Sequence, residues 1–110
     1  PLLILSLARK NFSQYPGANA HAMYDLGGAN SFLSLQAVGM GLQVRQMAGF
    51  NREKTIELLH IPVSTYEIGV YIAVGYPGNP DVLPEKLRIR EMAPRERFLQ
   101  QEFVMNGIFT

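Results

Sequence analysis

The chain contains no cysteine, which excludes disulfides, cysteine-ligated zinc and cysteine-held iron–sulfur clusters. That fits a reducing compartment, with the cytoplasm as the default. It also lacks charge of one sign. Ten Lys and Arg stand against nine Asp and Glu, a net charge of +1, so nothing rewards a nucleic acid or another polyanion by counterion release. No long hydrophobic run is present. The most apolar stretch, Leu2 to Ala8, has no basic region before it and is far short of the roughly 20 residues that span a bilayer. It reads as a buried strand, with no membrane partner. Histidine is scarce, with only His21 and His60. His21 and Asp25 lie four apart on a possible helix, but they have no third ligand and make a poor metal site. His60 reads as a helix-end residue that suits the helix dipole. None of the serines sits in a nucleophile-elbow context, so a Ser-His-Asp hydrolase has no support.

What is present is a globular composition. The 110 residues are 47% hydrophobic, enough for one small domain with a core. Leu2 to Ala8 gives way to the loop signal Pro16-Gly17-Ala18-Asn19. From His21 to Met40, Ala22, Met23, Leu26, Ala29, Leu33, Ala37 and Met40 recur at helical spacing. Phe32 and Leu35 widen that face, which predicts a long helix with much of its circumference buried. Gly39 and Gly41 supply its stop. Leu42 to Met47 alternates as a short strand. Asn51 can cap a second helix with Glu53 in its first turn, Ile56, Leu58 and Leu59 on its apolar side and Pro62 beyond it. Tyr66 to Val74 is the strongest strand, with Ile68, Val70, Ile72 and Val74 on one face, Gly69, Tyr71 and Ala73 on the other, and both faces covered.

This order predicts an α+β fold, an α/β sandwich with a central sheet flanked by helices. Its core elements lie in 1–77 and an extended tail in 78–110. Residues 81–102 are charged and poorly periodic. Beyond Leu83, Leu87 and Ile89, the packing anchors of the tail are Phe98, Leu99, Phe103, Val104, Ile108 and Phe109. It is either a free tail or a segment docked on a partner surface.

Several motifs fall in a specific order. Tyr24-Asp25-Leu26-Gly27-Gly28-Ala29 is followed by Leu33-x-Leu35-Gln36-Ala37. Then come Gly39-Met40-Gly41, Val44-x-Gln46-Met47-Ala48-Gly49-Phe50, Ile61-Pro62, Gly75-Tyr76-Pro77 and Arg95-Glu96-Arg97. Together they resemble the nitroreductase-like family of FMN-dependent oxidoreductases. The resemblance implies a partial nitroreductase-like fold, the C-terminal half of the family's domain. An opening on Pro1 directly into a core-type strand reads as truncation or processing. FMN is the implied cofactor, NAD(P)H the implied reductant, and nitro compounds, quinones or similar molecules the implied acceptors. The implied assembly is a homodimer through the central helix and the C-terminal tail.

By the same resemblance the turn Met47-Ala48-Gly49 approaches the flavin, with a backbone N–H of Ala48 or Gly49 directed at N5, and small residues there allow close approach. The plain alternative is an ordinary glycine turn between strand and helix. Arg95 and Arg97, on alternate residues of an extended segment, can grip one phosphate with two guanidinium forks, and the resemblance assigns them the FMN phosphate. The alternative is a solvated charge run beside Glu91, Glu96 and Glu102. Lys86, Arg88 and Arg90 form a similar but lower-ranked set. Arg45 stands where family members often carry histidine, which leaves ring contacts at that position open. No side chain is assigned a catalytic role, and none is assigned to a metal. A competing function is a non-catalytic remnant or dimerising interaction module that keeps part of the fold.

Overall fold

The apolar segments assemble as one antiparallel sheet. In the computed structural model, which describes residues 1–108, β1 (Leu2–Arg9), β2 (Gln43–Met47) and β3 (Tyr66–Gly75) pair in the order β1-β3-β2. The strand richest in β-branched residues, β3, is central and pairs with both neighbours. Helices α1 (Ala22–Gly39) and α2 (Arg52–Leu59) join the strands and flank the sheet, so the fold is α+β as expected. The chain divides into two compact units, Pro1–Pro77 and a second beginning at Gly78.

The register of β3 departs from simple alternation. Pairing runs Leu7↔Ile68 and then Leu5↔Tyr71, two steps along β1 against three along β3. Gly69 and Val70 therefore oppose Ser6 as a β-bulge. Paired residues share a face, so Ile68 and Tyr71 lie with Leu5 and Leu7, while Ile72 and Val74 lie with Ile4 and Leu2 on the other. The expected grouping of Ile68, Val70, Ile72 and Val74 on one face is thus corrected, because an extra residue reverses the alternation. Ser6 stabilises the irregularity, its hydroxyl donating to Val70 O and accepting from Val70 N–H, both at 3.0 Å. Gly69 is required sterically. A Cβ there would come within 2.6 Å of Ser6 Oγ and 2.7 Å of Leu26 Cδ2.

Helix α1 covers the Ser6 face, where Asn30 Nδ2 donates to Ser6 Oγ at 3.1 Å. Helix α2 covers the Tyr71 face. There the Tyr71 hydroxyl reaches Thr55 Oγ1 at 3.4 Å and the Phe50 ring meets Tyr71 edge-on at 4.9 Å. Ile72 is fully enclosed, and Ala8, Ala37, Ile61 and Ile68 are also buried. The run Leu2 to Ala8 is a strand but is not buried throughout. Leu2 and Leu3 are exposed, because β1 is an edge strand with β3 on one side only.

Helix α1 ends as its glycines predict, at a defined position. Gly41, at φ +80°, adopts the left-handed conformation, while Gly39 remains helical. Gly41 N–H donates to Val38 O at 2.9 Å and Leu42 N–H to Ala37 O at 3.0 Å, the Schellman pattern. The expectation of a largely buried circumference is overturned. Only Asn30 and Ala37 are buried, while Phe32 is 74% and Leu35 69% exposed. The inner face keeps Leu26, Leu33 and Ala37 of the expected line and adds Asn30 and Ser34. With Asp25 as its one charged residue, the helix is apolar nearly all round, and apolar spacing alone does not select a face.

Helix α2 starts as predicted, with Asn51 Oδ1 accepting from Lys54 N–H at 2.9 Å. His60 is not in its last turn but just beyond it, at φ +50°, followed by an Ile61 N–H to Ile56 O bond of 3.1 Å. A histidine here occupies the place that glycine takes after α1.

In the second unit, the segment read as poorly periodic contains helix α3 (Glu85–Met92), with 3₁₀ turns at Pro80–Val82 and Gln100–Glu102. Its first turn closes with Leu87 N–H and Arg88 N–H on Pro84 O at 2.8 and 3.0 Å. Phe98, Leu99, Phe103 and Ile108 are exposed, and Phe109 lies outside the described residues.

Candidate functional site

The turn between β2 and α2 gathers three of the predicted residues. Met47 ends β2, half-buried and paired with Tyr71, while Ala48 and Gly49 are exposed. Phe50 N–H donates to Ala48 O at 3.0 Å, which tightens the turn. The Phe50 ring on Tyr71 and the Asn51 cap on α2 fix its far end.

Gly49 has no structural need to be glycine within this chain. Its φ is not in the left-handed region, and a Cβ built on it meets nothing within 4 Å. The missing side chain leaves open space against exposed backbone, which is the form a planar ring needs for close approach. The donor set there is a backbone N–H, which suits a ring nitrogen of a flavin.

Three residues behind the turn, Gln46 of the quoted motif with Ser34 and Asn30 of α1, form a hydrogen-bonded set to which the sequence assigned no role. Gln46, next to Met47 and exposed, reaches across to α1, where its Nε2 donates to Ser34 Oγ at 3.0 Å and to Asn30 O at 3.3 Å. Ser34 Oγ in turn donates to Asn30 O at 2.8 Å. Buried Asn30 continues the chain of bonds to Ser6 and so to the bulge. A polar run at Asn30, Ser31 and Ser34 inside an apolar helix was the available signal.

Arg95 and Arg97 lie in the second unit, on a non-helical segment between α3 and the Gln100–Glu102 turn, and both are exposed. Arg97 Nη1 donates to Glu96 O at 2.6 Å. The lower-ranked set Lys86, Arg88 and Arg90 is on α3. Lys86 and Arg90 share one face of that helix and Arg88 is turned about 200° from each, so the three do not act as one set as they would on an extended segment. Met47, Ala48 and Gly49 are therefore brought together in one turn, and Arg95 and Arg97 on one segment. The two groups belong to different units.

The charged cluster of the first unit lies elsewhere. Glu67 is bonded by Arg52 Nη2 and lies 3.5 Å from Lys10 Nζ. Lys10 also donates to Val63 O at 2.7 Å and Arg52 to Ile68 O at 3.2 Å. The hydrogen bond from Arg52, with help from Lys10, holds the Glu67 carboxyl below the usual carboxylate range. All partners are accounted for, so the cluster reads as a clasp between strand ends and α2. A shallow cleft of about 290 Å³ lies between the end of β1 and the first turns of α1, lined by Leu7, Arg9, Asn19, Asp25 and Leu26, and does not include the Met47–Gly49 turn. His21 and Asp25 are both exposed, and no group of three or more metal-ligating side chains is present among the described residues. No described helix is long and apolar enough to cross a membrane.

No protein-family model matches the chain, and no curated protein does. Among solved structures it is similar to a crystal structure of an oxidoreductase containing FMN, with a TM-score of 0.87 and 26% sequence identity. The alignment covers 98% of this chain and 55% of that chain, so the present sequence spans about half of the protein it resembles. The fold assigned above is thus a partial fold of that oxidoreductase.

Proposed function

We propose that this chain forms the flavin-ring side of an FMN-dependent oxidoreductase of nitroreductase type. It would use NAD(P)H to reduce nitro compounds, quinones or similar acceptors, in the cytoplasm. The observation that carries the reading is the likeness of nearly the whole chain to an FMN-containing oxidoreductase. Bound FMN would supply the two-electron chemistry. The residues supply contacts, each within its own unit: the Met47-Ala48-Gly49 turn would offer backbone N–H groups and an open approach to a flavin ring, and Arg95 and Arg97 would offer an exposed guanidinium pair to an FMN phosphate. Both arginines are exposed, as an anion-binding pair must be before its ligand arrives. In the same reading the protein is a homodimer through the outer face of α1 and the tail, which carry the exposed Phe32, Leu35, Phe98 and Phe103.

The test is expression from the complete gene, purification with FMN, and measurement of the flavin absorbance and NAD(P)H oxidation. The expected result is a yellow protein whose FMN affinity falls at least tenfold in the Arg95→Ala, Arg97→Ala double variant, the loss of two charge-assisted contacts. A colourless protein under saturating FMN would overturn the reading and favour a non-catalytic, dimerising module. The exposed apolar face of α1 is compatible with that second reading.

A further inference from the structure

The polar network under α1 has no evident need to be there for packing alone. The inner face of the helix is the place for apolar side chains, yet Asn30 and Ser6 are buried and bonded to each other at 3.1 Å. The network does not stop at the core. It runs from the bulge through Ser6 and Asn30 to the edge strand β2, where Gln46 Nε2 closes it on Ser34 Oγ at 3.0 Å and Asn30 O at 3.3 Å. β2 is only five residues long and has β3 on one side only. Its start is tied to α1 through the Leu42 N–H to Ala37 O bond of 3.0 Å. Gln46 supplies the corresponding tie at its end, one residue before the Met47-Ala48-Gly49 turn.

We infer that Gln46 is a positioning residue: its amide, anchored on Ser34 and Asn30 of α1, fixes the end of β2 and so sets the direction of the backbone N–H groups in the turn that follows. The inference rests on the flavin reading for its functional meaning, but the anchoring itself is independent of it. A short edge strand held by one ladder frays from its ends, and a side-chain tether to a rigid helix is the means present here to prevent it. Because Gln46 bonds a backbone carbonyl and a hydroxyl, it needs only donors, so lysine, of similar length and also a donor, can replace it. Methionine, of similar shape but no donor, cannot.

The experiment uses protein expressed from the complete gene with Gln46→Met, Gln46→Lys and the milder Ser34→Ala, compared with Ser31→Ala, whose hydroxyl bonds Gly27 O at 2.8 Å within α1. Amide hydrogen exchange is the first readout. Gln46→Met should speed exchange over residues 45–50 about tenfold, the worth of one or two such bonds, with β1 unchanged. Ser34→Ala should act in the same direction but less, and Gln46→Lys should restore protection. Unchanged exchange at 45–50 in both Gln46→Met and Ser34→Ala, or a uniform rise across the sheet, would overturn the inference. The second readout is the visible circular dichroism of bound FMN, which should change with Gln46→Met and recover with Gln46→Lys. If wild-type protein binds no FMN while the exchange result holds, the positioning stands and the flavin reading alone fails. If FMN binds and its spectrum ignores Gln46→Met, the functional half of the inference is wrong.

Discussion

The two faces of α1 reverse the usual pattern of a surface helix. Toward the sheet it carries Asn30 and Ser34, buried or half-buried and hydrogen-bonded. Away from it stand Tyr24, Phe32, Leu35 and Val38, all exposed. The inner face thus sets two hydrogen-bonded polar residues among Leu26, Leu33 and Ala37, while large apolar side chains stay uncovered on the outside. The inner face is set by the bulge and by β2, whereas the outer face is left exposed and is the one proposed above for assembly. The inner face should therefore control stability, and the outer face assembly.

The largest expected effect is on the inner side. Gly69→Ala would drive a Cβ into Ser6 and Leu26, and should lower unfolding free energy by roughly 1–3 kcal/mol, as overpacking does, measured by urea denaturation. An unchanged midpoint would mean that the bulge yields easily and that the inner face is not set by it. Ser6→Ala comes next. It leaves Val70 N–H and Asn30 Nδ2 without their partner and should cost about 1–3 kcal/mol, near the lower end if water enters. At the end of the β1–β3 ladder, the exposed Glu67 clasp should contribute less. Its carboxyl is held below the usual range, so its stabilisation is present above the ordinary pKa of a glutamate, near 4.5. That stabilisation is lost as the pH falls through the lowered value. The midpoint of wild type should therefore drop more steeply below that pH than that of Glu67→Gln, and parallel curves would remove the clasp from the account. The smallest effect belongs to the outer face. Phe32→Ser should change stability by no more than about 0.5 kcal/mol while reducing self-association in sedimentation. A large loss of stability would break the comparison, because it would place the outer face in the folding core.

Much of this was legible in the sequence because the controlling interactions are local. Asn51 as a cap, Gly41 as a stop and the β-branched run of β3 each act within a few residues, and the strands and two main helices follow from them. The bulge was not legible. It depends on Ser6, 64 positions from Val70, and no alternation within β3 announces it. The line Leu26, Leu33 and Ala37 was legible and does turn inward, but its width was not: with apolar residues on every side, Phe32 and Leu35 joined the expected face, and the polar contacts of Asn30 and Ser34 with Ser6 and Gln46 went unseen. Helix α3 escaped notice because it carries no apolar stripe, although Glu, Lys, Leu, Arg and Met are all good helix formers. Of the candidate site, the turn was legible as a strand end followed by a capped helix. The tether through Gln46 was not, since it joins residues 12 and 16 positions apart that no motif links.

The proposed flavin site stands or falls on whether the Met47–Gly49 turn faces the ring. The most direct test is an NMR titration of isotopically labelled protein, expressed from the complete gene, with FMN. The Ala48, Gly49 and Phe50 amide resonances should move most, ahead of those of β1 and of the cleft at Arg9 and Asp25. Saturable binding that leaves the amides of residues 47–50 unmoved and shifts another region instead would contradict it.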